Sequence, residues 1–129
     1  MDHYRTLTPY LVVPDADAEI RFLKAAFGAT ESICHRNPDN SVMHAELQLG
    51  DSLLMLGQAG REWRALSAAL YVWVPDVDSI YANALRAGAT SQSAPEDKPY
   101  GHRNAGVVDL NGITWWIGSP VRQTQQSLS

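Results

Sequence analysis

Apolar positions along this chain change period in the same order twice. Pro9 to Val13 (PYLVV) is a short apolar run that stops at Pro14, which reads as a strand closed by a proline. Beyond it Ala16, Ile20, Leu23 and Phe27 recur at helical spacing with Asp17, Glu19, Arg21 and Lys24 between them, which predicts a helix packed by one stripe. Asp15 or Asp17 can cap its start, and Gly28 ends it. Three extended segments follow: Thr30 to Arg36, Val42 to Leu49 and Ser52 to Leu56. The turn residues Asn37, Pro38, Asp39 and Asn40 separate the first two, and Gly50 with Asp51 the last two.

The second half gives the order again. A strand is predicted over Ala69 to Val74, then a helix with Val77, Tyr81, Ala84 and Leu85 inward, stopped by Gly88. Extended segments return at Thr90 to Ser93, Ala105 to Leu110 and Ile113 to Ile117. The stretch APEDKPYGHR (94–103) carries two prolines and a glycine and reads as a loop, while QAGREWRALS (58–67) reads as the connection between halves. The wording repeats with the pattern. LVVPDAD (11–17) returns as VWVPDVD (72–78), with Asp15 and Asp76 61 residues apart, and FGAT (27–30) returns as AGAT (87–90), with Gly28 and Gly88 60 apart. An almost constant offset of this kind is the trace of an internal duplication.

Length and composition then bound the protein. At 129 residues the chain fits one domain, expected over 1–118 with units at about 6–57 and 67–118, followed by a polar tail (119–129). The single Cys34 cannot pair within the chain, which suits a reducing cytoplasm and excludes a cysteine metal cluster; its plainest role is a small buried apolar residue. Nothing approaches the run of about 20 apolar residues that spans a membrane, and no charged leader opens the chain. The formal net charge is −4 and the ten Lys and Arg are scattered, so neither nucleic acid nor a membrane is an expected partner.

The doubled frame of V-P-D-x-D and G-A-T, together with HAELQLGDSLLML (44–56) and PYGHRNAGVVDLNGITWWI (99–117), resembles the vicinal oxygen chelate superfamily of glyoxalases, bleomycin-resistance proteins and ring-cleaving dioxygenases, and within it a bleomycin-resistance-like bacterial subgroup. The resemblance covers roughly residues 6–118. It implies an α+β fold in which two tandem βαβββ units form curled mixed sheets around a U-shaped cavity, and a homodimer. The superfamily's enzymes hold a divalent metal with a His in the first strand and a Glu in the last strand of each unit. Those positions fall here on Thr8, Met55, Ala69 and Trp116. A hydroxyl, a thioether, a methyl and an indole do not hold a hard or borderline divalent ion. No metal and no other cofactor is therefore expected. A fallback set of His44, Glu46 and His102 has workable donor types, with nothing in its spacing to support it.

Strand alternation extends the cavity face from those positions. Thr8, Tyr10 and Val12 should face it from the first strand, and Ala69, Tyr71 and Trp73 from its counterpart. His44, Glu46 and Gln48 should face it from the third strand with Met43, Ala45, Leu47 and Leu49 behind, and Leu53, Met55 and Trp116 complete the lining, with Trp115 turned to the helices. By the resemblance, Tyr100 and His102 lie near the cavity mouth. Each has a plainer reading: a polar strand face can be merely solvated, an aromatic can be core, a loop can be only surface.

Aromatic walls with sparse polar groups are the usual make-up of a ligand pocket. The leading expectation is a metal-free protein that binds or sequesters a planar, partly aromatic small molecule, as in the bleomycin-resistance branch, with Glu46 favouring a neutral or cationic one. The rival is a lyase, isomerase or dioxygenase that works through an off-pattern metal or through His44 and Glu46 as acid and base. A third reading is a vestigial cavity collapsed onto Tyr71, Trp73 and Trp116. The missing ligands weigh against the enzyme, and catalytic residues stay unassigned beyond His44 and Glu46 as candidates.

Overall fold

The computed structural model describes residues 4–120, so most of the expected tail lies outside the described residues. In it each V-P-D-x-D phrase starts a helix, and its two carboxylates do different work. Asp15 is the N-cap of α1 (Ala16–Phe27) and accepts from Ala18 N at 3.1 Å, and Asp76 is the N-cap of α2 (Val77–Arg86) and accepts from Ser79 N at 3.2 Å. Asp17 and Asp78 occupy the first helical turns, where an acidic side chain suits the helix dipole. Each also meets an arginine from the adjoining hairpin, Arg36 at 2.8 Å and Arg103 at 2.9 Å. Gly28 closes α1 in the left-handed region at φ 71°, where a side chain is disfavoured.

Two four-stranded sheets accompany the helices. Sheet A has the order β1 (Tyr10–Val13), β4 (Ser52–Gln58), β3 (Val42–Leu49), β2 (Thr30–Arg36). Sheet B repeats it with β5 (Ala69–Trp73), β8 (Thr114–Pro120), β7 (His102–Val108), β6 (Thr90–Asp97). The first strand of each unit pairs in parallel with the last and the other pairs are antiparallel, so both sheets are mixed and neither closes. The registers coincide: Tyr10 pairs with Met55 as Tyr71 pairs with Trp116, each couple 61 residues from its counterpart.

One core serves both units. Leu11, Val13, Ala45, Leu47, Leu54 and Leu56 from sheet A, and Val72, Ala105, Val107, Trp115 and Ile117 from sheet B, join α1 and α2 in a single apolar cluster. Phe27 of α1 packs on Trp115 with ring centroids 5.2 Å apart, and Asn111 in the β7–β8 turn hydrogen-bonds Asp15 and Glu19 of α1. The helix-facing sides of both sheets thus converge on shared packing. Their other faces look away from it, which is why Tyr10, Tyr71 and Trp73 are exposed.

Several sequence expectations are corrected. Met43 is not behind β3 but 51% exposed, with Val42 buried instead. The ladder explains it: His35 pairs with His44 and Arg36 with Val42, so Met43 is the extra residue of a bulge that reverses the alternation. The stretch 94–103 is mostly strand, with β6 running to Asp97 and β7 starting at His102, so that only 98–101 turn. A bulged register between Ser93 and Glu96 lets β6 carry Pro95 without a ladder donor. β8 continues to Pro120, two residues into the segment read as tail. Leu85 is exposed, and Glu19, assigned to the polar face of α1, is only 1% exposed.

Candidate functional site

The sequence-predicted lining residues divide into two groups. Sheet A carries Tyr10, His44, Glu46, Gln48 and Met55, and sheet B carries Tyr71, Trp73, His102 and Trp116, with Tyr100 in the hairpin beside them. The predicted lining residues thus lie on two separate sheets.

On sheet A, Glu46 is 4% exposed and sits beside Met55 across the β3–β4 ladder. Its Oε1 accepts from Tyr4 Oη at 2.7 Å and its Oε2 pairs with His44 Nε2 at 2.8 Å. His44 Nδ1 in turn lies 3.2 Å from Tyr10 Oη. Side chains two apart on a strand thus converge, and the chain Tyr4–Glu46–His44–Tyr10 spans strands β3 and β1. Tyr10 Oη lies over Gly57, where an added Cβ would stand 3.2 Å from it and 2.8 Å from the backbone oxygen of Met43. The hydrogen bond to Glu46 raises the Tyr4 hydroxyl above its ordinary value, and burial, then the Glu46 charge, raise Tyr10, so both stay protonated donors. Trp63 from the linker meets the Tyr10 ring edge-on with centroids 5.6 Å apart. Gln48 turns to its own hairpin and donates to Gly50 O at 3.0 Å, outside this chain of contacts.

Sheet B keeps a tyrosine–imidazole contact, Tyr71 Oη to His102 Nδ1 at 3.2 Å, but has aromatic surface where sheet A has the buried acid. Position 46 corresponds to Gly106, which faces Trp116 in the ladder as Glu46 faces Met55. The six-membered ring of Trp116 fills the place a Gly106 side chain would take, with Cζ3 2.5 Å from an added Cβ. Tyr71 lies over Gly118 in the same way. Tyr71 and Trp73 touch with centroids 4.7 Å apart, and His102 stands edge-on among Trp73, Tyr71 and Tyr100 at 4.7, 5.9 and 5.1 Å. Beneath them Asn104 Nδ2 donates to the hydroxyls of Tyr100 at 3.1 Å and Tyr71 at 3.3 Å. A cavity of about 330 Å³ opens where the β3–β4 hairpin meets β5, with Leu53, Leu54, Leu70, Tyr71, Trp73 and Trp115 in its wall.

The metal positions implied by the resemblance offer no better ligands in three dimensions. Met55 and Trp116 lie on the open faces with thioether and indole as their only polar features, and such a donor set does not fit a hard or borderline divalent ion. The fallback set is not assembled: His44 and Glu46 pair with each other on sheet A, His102 is among rings on sheet B, and no group of three such donors occurs among the described residues.

Sequence reasoning missed Tyr4, Trp63, Asn104 and the three glycines. Tyr4 and Trp63 come from irregular segments with no period to read. The glycines had a signal, since Gly57 and Gly118 are 61 apart like the tyrosines that cover them.

Comparison with known proteins agrees with this geometry. The family model of the glyoxalase/bleomycin resistance protein/dioxygenase superfamily matches residues 1–117. The chain is 35% identical to an uncharacterized protein of Mycobacterium bovis, Mb0911c, over 91% of this chain and 84% of that one. Among solved structures, TioX from Micromonospora sp. ML1 is similar with a TM-score of 0.77 and 25% identity, covering 91% of this chain and 99% of that chain. A glyoxalase/bleomycin resistance protein/dioxygenase from Nocardioides shares the fold with a TM-score of 0.66 and 20% identity, over 92% and 84% of the two chains. With its doubled βαβββ units and a family match over nearly its whole length, this chain belongs to the glyoxalase/bleomycin resistance protein/dioxygenase superfamily.

Proposed function

We propose that the protein binds a planar, partly aromatic small molecule without the help of a metal. The observation that carries this reading is the pair of aromatics laid over glycines, Trp116 on Gly106 and Tyr71 on Gly118. A side chain held down in this way offers ring surface at little further entropic cost, and each stacked pair is worth about 0.5–1.5 kcal/mol beyond the area it buries. Tyr71 and Trp73 also line the cavity of about 330 Å³, a size at the small end for ligand pockets. The aromatic side chains cover the sheet rather than fill that space, which counts against a collapsed, vestigial cavity. Sequestration of a toxic compound, and so resistance, is one use of such binding; a cytoplasmic location suits the unpaired Cys34.

Homodimer formation goes with this reading. The polar face of sheet A and the aromatic face of sheet B look away from the shared core, and a second copy that set one against the other would enclose a ligand between them. Calorimetric titration with a panel of flat one- to three-ring aromatics tests the proposal. A panel member should bind stoichiometrically, and Trp116→Ala should weaken it about tenfold or more, the loss expected of one stacked ring together with the area it buries; unchanged affinity removes Trp116 from the site.

A second reading, acid–base catalysis, is favoured by one contact, His44 Nε2 to Glu46 Oε2 at 2.8 Å, which orients an imidazole as a general base requires. It requires a turnover that collapses in both His44→Ala and Glu46→Gln.

A further inference from the structure

The hydrogen-bonded chain on sheet A has a direction. Both oxygens of Glu46 are engaged, one by Tyr4 Oη and one by His44 Nε2. With Glu46 ionised its carboxylate only accepts, and in that state the hydrogen of a neutral His44 ring belongs on Nε2 and its Nδ1 is left as an acceptor. Tyr10 Oη, 3.2 Å away, then gives its one hydrogen to that nitrogen. A proton arriving on Nδ1 reverses this last bond. Nδ1 becomes the donor, Tyr10 Oη the acceptor, and the phenolic hydrogen is free to turn to the open face.

Tyr10 is placed to use it. It is 37% exposed, its ring is steadied edge-on by Trp63, and its hydroxyl lies over Gly57, which contributes no side chain. Besides Tyr10 and Glu46, with Tyr4 behind it, the titratable group facing His44 is His35, its exposed partner across the β2–β3 ladder. The elevated proton affinity of the Tyr10 hydroxyl keeps it a donor in either state.

We propose that the open face of sheet A is a carboxylate site, in which Tyr10 Oη donates to a carboxylate of the ligand while His44 takes up a proton from solvent on Nδ1. The imidazolium so formed lies between Glu46 and the incoming carboxylate and answers both charges. The ligand class that follows is a planar aromatic acid. This replaces the neutral or cationic ligand expected from Glu46, whose oxygens are already satisfied and whose side chain is buried. The inference rests on the reading that the open faces bind planar molecules.

The test is calorimetric titration with 2-naphthoate and with 2-naphthylmethylammonium, the same ring carrying opposite charge. It is run at about pH 8, where an imidazole is ordinarily neutral, in two buffers of different ionisation heat. Naphthoate should bind with net proton uptake approaching one per site. Tyr10→Phe should weaken it about tenfold, as loss of a charge-assisted hydrogen bond does, and Tyr10→Phe and His44→Gln should both abolish the uptake. Naphthoate bound without proton uptake, or with wild-type affinity in Tyr10→Phe, overturns the proposal. Binding of the ammonium probe alone overturns it while leaving the binding reading intact, and binding of neither probe defeats both.

Discussion

Three of the large rings on the open faces lie against glycines. Gly57 admits the Tyr10 hydroxyl, Gly118 admits Tyr71 and Gly106 admits Trp116. Gly106→Ala tests this seating, because the added methyl would stand 2.5 Å from Trp116 Cζ3 and must displace that ring. The expected result is a shifted Trp116 fluorescence spectrum, a stability loss of about 1–3 kcal/mol from overpacking, and affinity for a planar ligand lowered about fivefold through the lost platform. A variant that binds as wild type would show that the seating of Trp116 is incidental. At this scale the sequence was legible wherever period two held, as for Tyr10, Glu46, Met55, Tyr71 and Trp116. It failed at Met43, where a bulge inserts one residue and reverses the faces, a choice made by the pairing of two strands that neither strand states alone.

Among the elements, the repeated caps were the easiest to read and the carboxyl at the unit boundary the hardest. Glu19 sits on α1 at a spacing that looks solvent-facing, yet the β7–β8 turn of the other unit folds over it and buries it. Its neighbour there is Asp109, whose Oδ1 accepts from Asn111 N and Ile113 N at 2.9 and 3.0 Å and whose Oδ2 accepts from Trp115 Nε1 at 2.8 Å. Burial first, and then the Asp109 carboxylate, push Glu19 up to about 9 against an ordinary 4.5, with Asn111 opposing. A raised folded-state value means the folded protein holds the proton more tightly than the unfolded chain. The associated stability is complete below about 4.5 and declines as pH rises towards about 9. Glu19→Gln keeps a neutral side chain that still accepts from Asn111, so it should match the wild type in acid and exceed it by a growing margin between those two limits. Denaturant melts of both proteins across that range check it; parallel curves would mean that Glu19 is ionised or compensated in the fold.

For the whole molecule, the duplication made the architecture readable from words alone: two phrases, two glycines and one offset set the order of ten elements. How the units meet was not readable, since it depends on helix faces closing over one core and on Asn111 reaching from one unit to cap the other. That arrangement leaves both open faces to the outside. Sedimentation velocity should accordingly find a dimer at micromolar concentration, and a Trp73→Glu change, which puts a charge on an exposed indole position, should shift it toward monomer; a wild-type monomer at all concentrations would leave each face to bind ligand by itself.

Above all, this chain keeps the superfamily's fold, and the positions to which the resemblance assigns the metal ligands hold Thr8, Met55, Ala69 and Trp116. The decisive experiment is calorimetric titration of chelator-treated protein with Zn²⁺, Ni²⁺ and Mn²⁺. No stoichiometric binding of any of the three is expected. Tight binding near one ion per chain would contradict the proposal of metal-free binding, and would make His44, Glu46 and His102 the first residues to replace.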